Sequence, residues 1–396
     1  MITNSKARIF ISTGEVSGDL QGAMLIEALW RQAERVGLEI EIVALGGDRM
    51  AQAGVMLLGH TSSIGSVGLL ESLPYVWPTF KIQQYAKQYL QKNPPDLVVL
   101  IDYMGPNLSI GSYIRHQLPR VPIVYYIAPQ EWVWSLSARN TSQIVTIADR
   151  LLAIFQEEAR YFQCHGAKTI WVGHPLIDRM QAAPSRKAAR TQLGIAADQT
   201  AVVLLPASRR QELKYLLPIM FAAAQQLQAQ IPKLHFWIPL SLASFRQPLA
   251  QAIEHYGLQA TLVEQQSQLA IAAADLAITK SGTVNLEIAL MNVPQVVMYR
   301  VNPITAWIAK HILKFSIPFM SPTNLAMMKS IVPEFLQQEA TVEAITQTSL
   351  DLLLNPTRRQ QMLADYKQMR RALGEVGVCD RTAQAILELL ALEVKA

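Results

Sequence analysis

The first half of the chain alternates between short apolar runs, rich in β-branched residues, and longer segments with helical periodicity. The apolar runs predict strands at 8–13, 39–45, 96–101, 121–127, 150–154 and 169–172. The periodic segments predict helices at 18–35, 76–91 and 137–148. Continuous apolar strands that alternate with helices are typical of a parallel sheet covered on both faces. The first half therefore predicts a doubly wound α/β domain.

A polar stretch rich in Ala and Arg at 181–197 interrupts this alternation, which then starts again. Strands are predicted at 201–205, 234–239, 260–263, 276–279 and 295–299, and helices at 210–230, 245–256, 267–273 and 284–291. The tail from 341 predicts three helices. The predicted fold class is α/β, with two Rossmann-like domains that face a cleft, at 1–180 and 181–365. The C-terminal helices in 366–396 are expected to pack back on the first domain.

The composition favours a packed protein, because 51% of the 396 residues are hydrophobic and only 16% are charged. No apolar run approaches the roughly 18–20 residues that span a bilayer, and residues 1–8 lack the apolar core of a signal peptide. Two cysteines, Cys164 and Cys379, are too few for a disulfide framework. We therefore expect a cytoplasmic location.

The net charge is +5, from 35 Lys and Arg against 30 Asp and Glu, but these residues are scattered, which disfavours nucleic acid as a partner. A mild positive excess with few charges suits either a large core or peripheral association with an anionic membrane. Two apolar segments favour the membrane. Segment 62–80 holds one charge, Glu71, and in segment 307–328 the basic residues Lys310, His311 and Lys314 lie among apolar neighbours.

Ligands of open α/β sheets bind beyond the carboxyl ends of the strands, so the loops there are candidates for chemistry. The first strand leads into the segment from Gly14 to Asp19, whose glycines allow either close approach of a ligand or helix–sheet packing. Asp102 follows the third predicted strand, where a carboxylate serves either as a general base or as a turn residue. Trp132 and Trp134 follow the next strand. Their side chains suit stacking on a sugar, covering an acyl chain or packing in the core. His174 is the one histidine of interest.

Two loops of the second domain together predict a site for a nucleoside diphosphate. Arg209 opens a helix, where a cation opposes the helix dipole unless it pairs with an anion such as a diphosphate; the alternative is a solvated Arg pair on a loop. The loop at 281–283 suits phosphate binding through backbone amides or simple helix capping, and Glu287 suits a ribose. No P-loop, metalloprotease or α/β-hydrolase motif is present in the sequence.

These motifs resemble, in order and spacing from about 9 to 337, the lipid-A-disaccharide synthases. The matching positions are Gly14, Glu15, Val16, Ser17, Gly18, Asp19, Asp102, Asn107, Trp132, Trp134, His174, Ser208, Arg209, Glu212, Ser281, Gly282, Thr283 and Glu287. The resemblance implies a B-type inverting glycosyltransferase that joins UDP-2,3-diacylglucosamine to 2,3-diacylglucosamine 1-phosphate through a β-1,6 bond and releases UDP. It further implies no cofactor, no metal, a place at the inner face of the cytoplasmic membrane, and homodimers.

Residue roles follow from the same resemblance. Asp102 would activate the acceptor hydroxyl, and Arg209 would stabilise the departing UDP. The UDP-binding residues would be Ser208, Arg209, Glu212, Ser281, Gly282, Thr283 and Glu287. The acceptor- and sugar-binding residues would be Gly14, Glu15, Ser17, Gly18, Asp19, Asn107, Trp132, Trp134 and His174. The acyl or membrane surface would be Val67, Leu69, Leu70, Val76, Trp77 and Phe80.

Some positions depart from the family pattern. Gly105 stands where the family has an aspartate, Pro106 where it has an aromatic residue, and Ser135 where it has an arginine. These changes fall in the acceptor half. They leave open a divergent UDP-sugar transferase, a UDP-N-acetylglucosamine 2-epimerase, and a family member that binds lipid or nucleotide without turnover.

Overall fold

The computed structural model describes residues 6–61, 69–135, 137–311 and 316–393. The chain divides into two compact units, Met1–Asp178 with Leu373–Ala396, and Arg179–Ala372. We call these unit 1 and unit 2. The chain thus enters unit 2 after Asp178 and returns to unit 1 after Ala372, whereas the sequence places the domain bounds at 180/181 and 365/366.

Unit 1 is built on a parallel sheet of seven strands. The strands are β1 (Ala7–Ser12), β2 (Ile40–Gly46), β3 (Met56–His60), β4 (Leu97–Ile101), β5 (Ile123–Tyr126), β6 (Arg150–Ala153) and β7 (Thr169–Trp171), in the spatial order β3-β2-β1-β4-β5-β6-β7. The helices are α1 (Glu15–Arg35), α2 (Asp48–Gln52), α3 (Leu69–Lys92), α4 (Met104–Gln117), α5 (Ala138–Ile147), α6 (Gln156–Cys164) and α7 (Leu176–Arg179), the last of which ends at the unit boundary. Strand β4 is buried along its whole length, as expected of an apolar central strand.

Unit 2 is built on a parallel sheet of six strands. The strands are β8 (Thr200–Leu205), β9 (Leu234–Leu240), β10 (Ala260–Glu264), β11 (Leu276–Lys280), β12 (Gln295–Tyr299) and β13 (Glu334–Leu336), in the order β10-β9-β8-β11-β12-β13. The helices are α8 (Arg186–Leu193), α9 (Arg210–Gln230), α10 (Arg246–His255), α11 (Ser267–Ala273), α12 (Val284–Leu290), α13 (Pro303–His311), α14 (Pro322–Leu325), α15 (Val342–Leu354) and α16 (Pro356–Ala372).

The last helix, α17 (Val378–Glu393), belongs to unit 1 and packs against α1. An ion pair joins Arg31 to Asp380 at 2.8 Å. The carboxylate of Asp178 accepts hydrogen bonds from the amides of Gly377 and Cys379 at 2.7 and 2.8 Å, which caps the start of α17. The return of the chain to unit 1 is therefore fixed at this helix.

The predicted fold class is confirmed: each unit is a parallel, Rossmann-like α/β layer structure. Helices α9 and α11 and strand β12 have the predicted bounds. Strands β3 and β13 and helices α4 and α6 are not in the prediction, and the interrupted stretch 181–197 contains helix α8.

Each sheet has one point where the strand order reverses direction. In unit 1 it lies between β1 and β4, and in unit 2 between β8 and β11. Connections leave such a pair of strands toward opposite faces of the sheet, which opens a crevice at their carboxyl ends. The candidate loops after β1 and β4, and after β8 and β11, flank these two crevices.

Candidate active site

Gly14 and Tyr103 meet at the crevice between β1 and β4. A Cβ built on Gly14 would lie 2.5 Å from three carbons of the Tyr103 ring, so only glycine allows this contact. Three other positions here have left-handed backbone without being glycine: Glu15 (φ 60°), Asp102 (φ 46°) and Tyr103 (φ 49°). Each costs about 1–3 kcal/mol, and such strain concentrates at functional sites.

Asp102 follows β4 directly and is half-buried. Burial raises the pKa of its carboxyl to about 7; the charge of Glu15 raises it further, while a hydrogen bond from the Tyr103 amide acts in the opposite direction. A carboxyl that titrates near neutral pH is suited to take a proton from a hydroxyl group. Asp102 and Glu15, predicted from separate loops, are therefore close enough to influence each other.

Asn107 lies under this loop and is fully buried. Its amide oxygen accepts a 2.7 Å hydrogen bond from the Ser12 hydroxyl, and its amide nitrogen donates to the carbonyl oxygens of Ile101 and Asp102 at 3.0 and 2.8 Å. Both ends of the Asn107 side chain thus hold β1, β4 and the Asp102 backbone together, and its expected contact with the acceptor stays a prediction.

Asp19 is also committed within the protein. Its carboxylate is 5% exposed and accepts hydrogen bonds from the amides of Gly47, Arg49 and Met50, at 2.8, 3.1 and 3.1 Å. These bonds cap helix α2. Asp19 therefore has a structural role at the start of α2, and its expected contact with the acceptor stays a prediction.

Two further residues of α1 were predicted to bind the acceptor. A Cβ on Gly18 would lie 2.0 Å from the Thr13 hydroxyl oxygen, so this glycine allows α1 to pack against the end of β1. Ser17 is half-buried on the same helix. Packing accounts for Gly18, which is one of the two interpretations that the sequence leaves open.

An aromatic series links two of the other predicted residues. The rings of Trp132 and Phe155 are 5.5 Å apart, and those of Phe155 and His174 are 5.3 Å apart. Trp132 and Trp134 are both half-buried. Burial lowers the pKa of His174 to about 3, and its Nδ1 accepts a 3.2 Å hydrogen bond from the Leu176 amide. His174 is therefore neutral and does not supply a charge.

Glu158 has a role here that the sequence analysis missed. It is 1% exposed, and its carboxylate accepts hydrogen bonds from the amides of Ala128, Ile154 and Phe155 at 2.9, 2.8 and 3.2 Å. Burial raises its pKa to about 7 against the effect of these bonds, and the charge of Asp102 raises it slightly more. Glu158 thus fixes the start of the tryptophan loop to the end of β6. Its one sequence signal is its position just after the predicted strand at 150–154, since helix α6 was not itself predicted.

Ser208, Arg209 and Glu212 meet after β8, in unit 2. One carboxylate oxygen of Glu212 accepts hydrogen bonds from the amides of Ser208 and Arg209, at 2.6 and 3.1 Å. The other oxygen lies 3.9 Å from Nη1 of Arg209 and 3.2 Å from Nζ of Lys280. Glu212 therefore orders the residues around it, and the expectation that it also binds UDP stays a prediction.

Ser281, Gly282 and Thr283 follow β11, as predicted, but two backbone amides of this loop are already used. The Ser281 amide donates to the Met298 carbonyl at 2.9 Å, and the Gly282 amide donates to the Asn285 side chain at 2.9 Å. The Ser281 hydroxyl donates to the Met320 carbonyl at 2.7 Å. Neither amide can bind phosphate without losing its present bond, and phosphate binding by this loop stays a prediction.

Glu287 is in the first turn of α12 and 13% exposed at its side chain. Its carboxylate forms a 2.6 Å ion pair with Nη1 of Arg179. The sequence analysis did not single out Arg179. The ion pair favours an ionised Glu287, which can accept hydrogen bonds from the hydroxyls of a ribose.

The predicted apolar surface is described only in part. Val67 lies outside the described residues. Leu69 and Leu70 begin α3, but the structure does not describe their side chains. Val76, Trp77 and Phe80 are 59%, 64% and 49% exposed, and the Trp77 and Phe80 rings stack at 5.9 Å. Nζ of Lys81 lies 5.6 Å from the centre of the Trp77 ring. An apolar ridge with an adjacent cation is typical of a surface that meets lipid headgroups.

Over the residues that the structure describes, no helix is long and apolar enough to cross a membrane. In the same part of the chain, no group of three or more His, Cys, Asp or Glu side chains is arranged to hold a metal ion.

Comparison with known proteins identifies relatives over nearly the whole chain. A family model described as lipid-A-disaccharide synthetase matches residues 9–389. A lipid-A-disaccharide synthase from Gloeothece citriformis is 62% identical over 381 residues, which cover 96% of this chain and 99% of the relative. Another from Synechocystis is 57% identical over 383 residues, which cover 96% and 97%.

Solved structures share the fold at low sequence identity. A protein named as a UDP-N-acetylglucosamine 2-epimerase from Listeria monocytogenes aligns with a TM-score of 0.69 at 15% identity, over 96% of this chain and 95% of its own. The glycotransferase of kitacinnamycin aligns with a TM-score of 0.62 at 13% identity, over 98% and 100%. Both similarities concern the fold alone.

Proposed function

This chain belongs to the lipid-A-disaccharide synthetase family, and we propose that it transfers 2,3-diacylglucosamine from UDP to 2,3-diacylglucosamine 1-phosphate, forming a β-1,6 bond. It is a glycosyltransferase of lipid A biosynthesis with the B-type fold. Its relatives are named as disaccharide synthases, which favours transfer to an acceptor over acceptor-free epimerisation.

The observation that carries the proposed mechanism is Asp102, whose carboxyl has a pKa of about 7 at the crevice between β1 and β4. In our proposal the ionised carboxylate removes the proton of the acceptor 6-hydroxyl. The hydroxyl oxygen forms a bond to the anomeric carbon of the donor, and the bond from that carbon to the β-phosphate oxygen breaks. The electron pair of the broken bond leaves with UDP. A single displacement of this kind inverts the anomeric carbon.

The donor is assigned to unit 2. Arg209 would pair with the diphosphate and stabilise the negative charge that grows as UDP departs. Glu287, held by Arg179, would accept hydrogen bonds from the ribose hydroxyls. Ser208 and Thr283 would contribute hydroxyl groups at the same end of the sheet. Glu212 supports this site by ordering the amides of Ser208 and Arg209.

We propose that the transfer needs no metal ion, since arginine can neutralise a departing diphosphate in place of a divalent cation. A chelator such as EDTA should then leave the rate of UDP release unchanged. A large loss of rate that Mg²⁺ restores would contradict this part of the proposal.

We also propose peripheral binding to the inner face of the cytoplasmic membrane, where both acylated substrates would be held. The exposed side chains of Trp77 and Phe80 in unit 1 support this. In unit 2, Ile304 and Trp307 on α13 are 62% and 56% exposed, and the sequence between Glu287 and Glu334 contains lysines but no acidic residue. Apolar and basic surfaces of this kind bind anionic lipid.

The decisive experiment incubates the full chain with UDP-2,3-diacylglucosamine, with and without 2,3-diacylglucosamine 1-phosphate, and identifies the products by mass spectrometry. We expect the disaccharide 1-phosphate and UDP only when both substrates are present. Incubation with UDP-N-acetylglucosamine alone tests for an epimerase, which needs no acceptor. Tight UDP binding without any disaccharide would instead indicate a family member that binds without turnover.

A further inference from the structure

Lys280, the last residue of β11, carries a largely buried cation at the crevice between β8 and β11. Its side chain is 14% exposed. Nζ lies 3.2 Å from a carboxylate oxygen of Glu212 and donates a 3.3 Å hydrogen bond to the Ser281 carbonyl. A lysine is seldom buried to this extent unless its charge is paired. The carboxylate of Glu212 therefore balances the positive charge of Lys280 inside the protein.

Glu212 supplies one negative charge to two cations. The carboxylate oxygen that contacts Lys280 also lies 3.9 Å from Nη1 of Arg209, while the other oxygen accepts the amide hydrogens of Ser208 and Arg209. Tyr299, at the end of the neighbouring strand β12, remains a neutral hydroxyl, because burial and the charge of Glu212 raise its pKa. Glu212 therefore places two cations, Lys280 and Arg209, beside one another at the end of the sheet where ligands of this fold bind.

Gly282 leaves room for the ammonium group. A Cβ built on Gly282 would lie 3.0 Å from Nζ of Lys280, closer than an ordinary van der Waals contact. The backbone of this loop contributes little to anion binding, since the amides of Ser281 and Gly282 donate within the protein. A phosphate that enters the crevice therefore meets side-chain cations before backbone donors.

We propose that Lys280 is a second diphosphate-binding cation, which acts beside Arg209 and is oriented by Glu212. This inference rests on the proposed function, because it deepens the assignment of the UDP site. The charge on the β-phosphate grows as the bond to the sugar breaks, so Lys280 stabilises the transition state more than the bound substrate. Its removal lowers the rate of the chemical step as well as the affinity for UDP.

The test compares Lys280→Met with Lys280→Arg and with the control Lys329→Met. Lys329 belongs to the same unit but pairs with Asp365, at 3.2 Å. Inhibition constants are measured for UDP, UMP and uridine, together with kcat. For Lys280→Met we expect UDP to bind about 10- to 100-fold more weakly, as for loss of one charged hydrogen bond, with uridine unaffected and kcat reduced. Lys280→Arg keeps the charge and retains part of both properties.

Two outcomes overturn the inference: unchanged UDP inhibition in Lys280→Met, or equal weakening of UDP and uridine, which indicates a structural role. If Lys280→Met does not fold, Lys280→Gln takes its place, because its neutral amide can still donate hydrogen bonds to Glu212 and to the Ser281 carbonyl. Lys280→Gln must then weaken UDP and leave uridine unaffected. Failure of the proposed function is recognised separately, as absence of UDP release by the unmodified chain.

Discussion

The ring of Tyr103 lies so close to the Cα of Gly14 that a methyl group there would come within 2.5 Å of three ring carbons. Gly14→Ala must therefore move the Tyr103 ring. Because Tyr103 directly follows Asp102 in the chain, this movement also displaces Asp102. Because a displacement of about 1 Å in an active site can cost about 100-fold in rate, we expect a loss of this order, measured as UDP release. The melting temperature should change little, which would show that the loss of rate is not caused by unfolding.

Gly105→Ala is the matched control for this substitution. Gly105 lies in the first turn of α4 and is exposed, and a Cβ added to it would meet no atom within 4 Å. We expect activity within about twofold of the unmodified chain, as is usual for exposed positions. Equal losses in the two variants would show that the Gly14 contact has no special importance.

Asp102→Asn removes the proposed base but keeps the shape of the side chain. Disaccharide formation should fall to background, while UDP affinity, which we assign to unit 2, should stay the same. Turnover at the normal rate would exclude Asp102 as the base.

The same variant has a stability consequence. The unfolded carboxyl ionises near pH 4, but the folded one keeps its proton to about pH 7. The folded state is therefore destabilised by this group as the pH rises from about 4 to 7, and the cost persists above pH 7. Asp102→Asn removes this cost, so its melting temperature should exceed that of the unmodified chain at pH 8 and by less at pH 5.

The pH dependence of the rate tests the influence of Glu15 on Asp102. The base works when ionised, so kcat/KM should rise with pH and level off above the pKa of about 7. Glu15→Gln removes a negative charge that raises this pKa, and the rising limb should move to lower pH. Glu27→Gln, an exposed position on the same helix, should leave the limb in place. An unmoved limb in Glu15→Gln would mean that another group controls it.

Arg209→Ala should reduce kcat by about 100- to 1000-fold if the guanidinium stabilises departing UDP as an oxyanion-hole donor stabilises its anion. The control is Arg246→Ala, since Arg246 pairs with Glu264 on an exposed surface of the same unit. A kcat for Arg209→Ala close to that of the control would contradict this role.

Binding to lipid should depend on the exposed ridge of α3. The variant with both Trp77→Ser and Phe80→Ser should associate less with anionic liposomes in a flotation assay, because it removes the two stacked rings. Val36→Ser, at another exposed apolar position of unit 1, should bind normally. Raising the salt concentration should weaken the electrostatic part of binding. If the unmodified chain binds no anionic liposomes at any salt concentration, the proposed membrane contact is wrong.

The fold was largely predictable because buried parallel strands are continuous apolar runs. Strand β12 has the predicted bounds for this reason. Strand β3 was missed because it is short and half-exposed and contains Gly59 and His60, so it is not a continuous apolar run. It forms a strand by pairing with β2. Helix α6 was missed because it starts with three polar residues and shows an apolar face only where it packs on β6 and β7.

The site was predictable in position but less so in the use of each side chain. Asp102 and Arg209 follow strands, which locates them without further information. Asn107 bonds to Ser12, 95 positions away, and Asp19 bonds to a loop about 30 positions away. Such partners are set by tertiary structure, so the sequence could not show that these polar groups are already occupied.

The return of the chain to unit 1 at α17 affects the order in which the protein can fold during synthesis. Unit 2 is inserted whole between two parts of unit 1. A ribosome therefore completes every residue of unit 2 before it makes the helix that covers α1. Unit 2 can fold first, while unit 1 waits for its last helix with an apolar face of α1 uncovered.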